Sequence, residues 1–157
     1  MPEIDDEALS MWRSFLNAHA RVTRAIGRDL AAAGLPDLSW YDLLWALHRA
    51  PGGGLRVNEL ARAVVLSPTG MSRFVDRLEA EGLVRREPDP ADRRALQVVL
   101  TDAGRDLLRR MWPVYARGIE THFAAQLRDA PEGLRARFDA MATMEPSSAR
   151  SSSPSSP

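Results

Sequence analysis

The sequence contains no cysteine and no lysine. Without a thiol there is no disulfide, no thiolate metal site, no cysteine nucleophile and no thiol redox switch. Without lysine, all 21 positive charges are guanidinium groups, which are planar, permanently charged and suited to forked contacts with phosphates and carboxylates. They are matched by 21 Asp and Glu, so the formal net charge is zero and a polycationic tail that binds nucleic acid by bulk charge is excluded. No apolar run approaches the roughly 18 residues of a membrane span, and the acidic opening MPEIDDEALS lacks the basic and apolar parts of a secretion signal. The chain reads as a soluble, cytoplasmic protein without a membrane partner, and 157 residues suffice for one domain or two small intimate ones.

Catalytic and metal signatures are equally sparse. His19, His48 and His122 have no metal-ligand spacing with one another or with acids. Gly52-Gly53-Gly54 follows a helical segment and Pro51, which reads as a turn and not as a phosphate loop. The carboxylate pairs Asp5-Asp6 and Glu79-Glu81 fall on exposed or helix-terminal stretches, where solvation accounts for them. No enzyme activity, metal or cofactor is expected.

What is present is helical periodicity. Leu9, Trp12, Leu16, Ile26, Leu30 and Ala33 step by threes and fours, with His19 and Thr23 in the two missing places, predicting a long helix that ends at Gly34-Leu35-Pro36. Such a seam calls for a partner helix. Ser39 is a candidate cap for a second helix through Ala50 that buries Leu43, Leu44 and Leu47, and Asn58 one for a third helix to about Val65. Ser67-Pro68 predicts a restart, with a helix ending near Glu81-Gly82. Leu83–Glu87 and Leu96–Leu100 have strand character, the second placing Leu96, Val98 and Leu100 on one face, with the polar loop EPDPADRRA between them. Thr101 caps a last long helix kinked at Pro113, a short helix follows from Pro131 to about Met144, and the Ser/Pro-rich end from Pro146 is expected to be disordered.

This order predicts a mainly α fold with a small β-wing, a winged helix-turn-helix flanked by long helices: 1–38 an N-terminal dimerisation helix, 39–100 the winged domain, 101–145 C-terminal dimerisation helices, 146–157 the tail. In the helix from Ser67 to Leu78, Met71, Phe74, Val75 and Leu78 form one face. Thr69, Ser72, Arg73, Asp76 and Arg77 form the other. Hydroxyls and guanidiniums there suit base edges and phosphates of a major groove, although an ordinary amphipathic helix with a solvated face has the same pattern. At the loop tip, Asp92-Arg93-Arg94 sets two guanidiniums beside a carboxylate able to orient the second, and Arg fits a narrow minor groove. A turn of mutually neutralising charges reads the same way. Residues 56–100 hold eight Arg against seven acids. A basic surface therefore requires Glu79, Glu81, Glu87 and Asp89 to point away while Arg73, Arg77, Arg93 and Arg94 converge.

LSPTGMSRFVDRLEAEGLVRREPDPADRRALQVVLTDAGR, residues 66–105, resembles the recognition helix and wing of the MarR family of transcriptional regulators. The likeness extends over about residues 9–130 and is strongest over 57–105. It implies a homodimer built on the terminal helices whose two winged domains read a pseudo-palindromic duplex DNA, most simply as a repressor relieved by a small molecule. It matches Ser67, Thr69, Ser72, Arg73 and Arg77 to DNA-facing recognition positions, and Asp92 and Arg94 to the wing pair, with Arg94 in the minor groove and Asp92 holding it. Family members that sense organic hydroperoxides carry a cysteine in the first helix, so oxidation through a thiol is excluded as the signal here. Trp12, His19, Trp45, His48, Trp112 and Tyr115 lie on helices that in this family surround a cleft, and they suggest a small aromatic or phenolic ligand; core or interface packing is the competing explanation. The alternative from another class is a winged helix used for protein interaction or dimerisation without DNA.

Overall fold

The computed structural model describes residues 4–65 and 70–143. The chain divides into two compact units, Met1–Ala125 and Gln126–Pro157. In the second unit the described structure is mainly one helix, α6 (Leu134–Ala142), preceded by Gly133 in the left-handed region. The expected Ser/Pro-rich disorder lies outside the described residues.

The first unit opens with α1 (Asp6–Ala32), started by Asp5, whose carboxylate accepts the backbone N–H groups of Glu7 at 2.7 Å and Ala8 at 3.3 Å. Its second half buries Ala25, Ile26 and Leu30, whereas every residue from Ile4 to Arg21 is exposed. The exposed half carries Leu9, Trp12, Phe15 and Leu16. Next, α2 (Leu38–Arg49) buries Leu38, Trp40, Tyr41, Leu43, Leu44 and Leu47. Its cap is Asp37 and not Ser39: the Asp37 carboxylate accepts the Ser39 backbone N–H at 2.9 Å and also its hydroxyl, so the acid satisfies the helix start two residues earlier.

Gly52 and Gly53 turn the chain with φ of +85° and +83° into β1 (Gly54–Leu55), a strand the sequence reading lacks. Helix α3 (Val57–Ala63) starts after Arg56 and not at Asn58, because Glu59 reaches back to accept the Arg56 backbone N–H at 2.7 Å. Beyond α3, the Asp42 carboxylate accepts the Val65 N–H at 2.6 Å and ties this turn to α2. Helix α4 spans Met71–Ala80 and is preceded by Gly70 in the left-handed region, φ +82°. The expected cap at Ser67 and first turn at Pro68 lie outside the described residues.

Strands β2 (Val84–Pro88) and β3 (Leu96–Leu100) pair antiparallel, Val84 opposite Leu100 and Pro88 opposite Leu96, and β1 adds to the other edge of β3, giving the order β1-β3-β2. In the central strand β3, Gln97, Val98, Val99 and Leu100 are all buried, so both of its faces are covered over this stretch. Leu96, expected inside, is 55% exposed because it sits at the wing end of the ladder, past the packed part of the sheet. Thr101 caps α5 (Asp102–His122), accepting the Gly104 N–H at 3.1 Å, and the helix passes through Pro113 with the loss of one backbone rung.

One hydrophobic core joins these elements, with Leu30, Leu43, Leu44, Leu47, Leu60, Val75, Leu78, Val98 and Met111 all but fully buried. Two helical glycines allow close approach. A Cβ at Gly118 would lie 2.9 Å from Ile26, where α1 meets α5, and one at Gly104 would lie 2.3 Å from the Leu83 carbonyl oxygen. Thr101 Oγ1 bonds that same carbonyl at 2.9 Å, so the start of α5 is seated on the base of the wing.

Candidate nucleic-acid interface

The outward face of α4 follows from its period. Met71, Phe74, Val75 and Leu78 are buried, leaving Ser72, Arg73, Asp76 and Arg77 exposed. Ser67 and Thr69, expected on the same face, lie outside the described residues. The Arg77 guanidinium stands 5.3 Å over the ring centroid of Trp40, which in turn packs edge-on against Phe74 at 6.3 Å. A cation over an indole face is held without a counter-charge, so the fork stays available to a phosphate or a base edge.

Apart from Glu81, the acids beside α4 and the wing are paired. Arg86, on β2, reaches Asp76 Oδ1 with Nη2 at 2.5 Å and Glu79 with Nη1, while its backbone N–H donates to Glu79 Oε1 at 2.8 Å. Partial burial works against its charge, and the hydrogen bonds to Asp76 and Glu79 outweigh that and hold it above its ordinary value. Glu87 accepts from Arg85 at 3.0 Å and from Gln97 at 3.3 Å. Asp89 pairs with Arg56 at 2.7 Å. By contrast, Arg73, Arg77, Arg93 and Arg94 have no carboxylate partner among the described residues. The separation of charge that net neutrality demands is thus achieved by pairing, with Arg56, Arg85 and Arg86 neutralising the acids in place.

The wing tip is built on carboxylates. The Asp89 N–H donates to the Ala95 carbonyl at 3.0 Å, and Asp89 Oδ1 accepts the Ala91 N–H at 2.8 Å. Asp92 takes hold of Arg94 through the main chain: its Oδ1 accepts the Arg94 backbone N–H at 3.1 Å, and its Oδ2 lies 3.8 Å from Arg56 Nη2. No bond from Asp92 to the Arg94 guanidinium is formed, because the carboxylate faces back toward α3; the Arg94 side chain is left exposed.

Of the aromatic residues singled out in the sequence, Trp45, His48 and Trp112 come together. With Tyr41, Arg105, Leu108 and Arg109 they line a cleft of about 380 Å³ between α2 and α5. Tyr115 adjoins it through Tyr41, ring centroids 4.7 Å apart. Burial, then the neighbouring Tyr115, raises the Tyr41 phenol above its ordinary value, and burial, then Asp42, raises Tyr115, so both are neutral hydroxyls at physiological pH. Trp12 and His19 do not join them. Trp12 stacks on Phe15 at 5.9 Å on the uncovered half of α1, and His19 borders a separate hollow with Asp37 and Ser39, since only the second half of α1 packs on α5. Arg56, Arg86, Trp40 and Tyr41 were missing from the sequence-derived set. Apart from Trp45, one turn beyond Tyr41 on α2, their side-chain partners lie 7 to 74 residues away, beyond any local spacing rule.

Residues 33–95 match the family model described as MarR family. Sco3205, a MarR family transcriptional regulator from Streptomyces coelicolor solved in complex with DNA, is 31% identical, with a TM-score of 0.77 and 96% of each chain covered. The transcriptional regulator HosA of Escherichia coli O111:H- is 37% identical over 102 residues, 64% of this chain and 73% of its own. The HTH-type transcriptional repressor IacR of Pseudomonas putida is 29% identical over 96 residues, 61% of this chain and 56% of its own.

Proposed function

This chain belongs to the MarR family of transcriptional regulators, and from that membership we propose that it acts as a homodimeric, sequence-specific DNA-binding repressor released by a small aromatic or phenolic ligand, with no chemistry of its own. The observation that carries the reading is the charge pattern: every acid flanking the outward side of α4 and the wing has an arginine partner except Glu81, while Arg73, Arg77, Arg93 and Arg94 remain uncommitted among the described residues. Ser72, Arg73 and Arg77, together with Ser67 and Thr69, would face the major groove, and Arg93 and Arg94 the adjacent minor groove, with Asp92 shaping the loop. The first half of α1, which exposes Leu9, Trp12, Phe15 and Leu16, supplies an apolar stripe of the kind a second copy covers.

The cleft between α2 and α5 offers aromatic walls with two flanking guanidiniums, of a volume suited to a small ligand. Helix α2 carries the cleft residues Tyr41, Trp45 and His48 and also Trp40, which supports Arg77 and Phe74 of α4. A ligand that prefers one position of α2 therefore biases the recognition helix, and in a dimer this changes the separation of the two reading heads. IacR's designation as a repressor supports the sign of regulation.

The test is selection from random duplex DNA by the purified full chain at fixed ionic strength, followed by sequencing of the bound pool. An inverted repeat with half-sites about 10 to 10.5 base pairs apart is the expected result. No enrichment from folded protein would overturn the DNA-reading assignment in favour of a winged helix used for protein contact. A reporter driven by a promoter bearing the repeat fixes the sign: expression that rises in the presence of the protein would overturn repression.

A further inference from the structure

The wing's arginines are useful only if their loop is held still, and the structure contains a post that holds it. Arg56 stands between β1 and α3, its backbone N–H fixed by Glu59 at 2.7 Å and its neighbours Gly54 and Leu55 paired to β3. Its side chain crosses to the wing, where Nε donates to Asp89 Oδ2 at 2.8 Å and Nη2 stands 2.7 Å from the same oxygen, with Asp92 Oδ2 3.8 Å away. Asp89 divides its two oxygens between this guanidinium and the Ala91 N–H. Asp92, with its carbonyl on the Ala95 N–H and its Oδ1 on the Arg94 N–H, carries the connection to the base of Arg94. A surface ion pair ordinarily contributes little. Here the Asp89 side chain is only 15% exposed and its hydrogen bonds are the loop's internal ones, so the pair sets a conformation.

We propose that Arg56 is a positioning residue for DNA recognition: through Asp89 and Asp92 it locks the wing to the start of α3 and aims Arg94 at the groove. The inference rests on the reading of Arg94 as a minor-groove contact made above. Its consequence runs against bulk electrostatics. Removing Asp89 deletes a negative charge from a DNA-facing loop, which by charge alone strengthens binding, yet a positioning role requires that both Arg56→Gln and Asp89→Asn weaken it.

The experiment is a double-mutant cycle on the full-length protein, titrated against the inverted repeat recovered by selection with the unaltered chain, with amide exchange of Arg94 and Ala95 measured alongside. Expected are losses of about tenfold for Arg56→Gln and for Asp89→Asn, and no further loss in the double variant. Faster exchange at Arg94 and Ala95 should accompany them, in variants that keep a cooperative unfolding transition. Arg56→Lys keeps the charge without the paired Nε and Nη donors and should fail to rescue, which separates geometry from charge. Tighter binding by Asp89→Asn, additive losses in the cycle, or full activity of Arg56→Lys would each overturn the proposal. The control is Arg94→Ala. If that change leaves affinity untouched, the wing reading itself is wrong; if it weakens binding while Arg56→Gln does not, only the positioning role falls.

Discussion

At the scale of single residues, function here depends on which arginines are spent on acids and which are not. Arg86 is the clearest spent one, with a side chain 23% exposed between Asp76 and Glu79. Arg86→Gln should lower stability by about 1 to 2 kcal/mol, the lower part of the range for charged hydrogen bonds because both carboxylates are partly solvated. It should also weaken DNA binding without touching DNA, since Asp76 on the outward face of α4 becomes an uncompensated negative charge. Chemical denaturation and a binding titration check the two effects, and undiminished affinity would show that Asp76 is not near the phosphates. Asp89 is held below the usual carboxylate range by the Ala91 N–H and then by Arg56. Its contribution is therefore complete above the pH at which an unfolded Asp titrates and disappears only as pH falls through the lowered value. The Asp92-Arg93-Arg94 cluster was legible in the sequence because its members are adjacent, whereas Arg56 was not, since Asp89 is 33 positions away.

At the scale of elements, periodicity carried most of the information. The two faces of α4, the long α1, the Thr101 start of α5 and the pairing of β2 with β3 all follow from local pattern. Strand β1 did not, because two residues beginning with glycine have no period and are strands only by virtue of Val98 and Val99 opposite them. The exposure of Leu96 was hidden for a related reason: alternation says which residues share a face but not where the other side of the sheet runs out. The cleft residues divided along the same line, with Trp45 and His48 one helical turn apart on α2 and Trp12 placed by what α1 fails to pack against. Gly104 makes the coupling between elements testable. Alanine is favoured over glycine in a helix by about 1 kcal/mol, but a Cβ 2.3 Å from a backbone oxygen must push α5 off the wing, at about 1 to 3 kcal/mol. Gly104→Ala should therefore destabilise the protein on balance in thermal unfolding, and a raised melting temperature would contradict the contact.

At the scale of the whole molecule, zero net charge coexists with a surface on which charge is sorted. Salt dependence should follow the uncommitted arginines and not the total. With Arg73, Arg77, Arg93 and Arg94 of two protomers on phosphates, the logarithm of affinity should fall against the logarithm of salt with a slope of roughly −7 at most. Titration of the selected duplex across ionic strengths measures it, and a slope near zero would contradict a phosphate-contacting surface. The same sorting divides the four tryptophans. Trp40, 9% exposed, lies under Arg77 at the reading head, whereas Trp12, Trp45 and Trp112, 54%, 40% and 52% exposed, lie on α1 and the cleft. Buried indoles emit to the blue of solvated ones and are shielded from dissolved quenchers. A quencher such as iodide would therefore silence the cleft tryptophans Trp45 and Trp112 and spare Trp40, together with Trp12 wherever a second copy covers α1; of that spared pair only Trp40 lies under a guanidinium, an optical channel built into the protein for any change at Arg77.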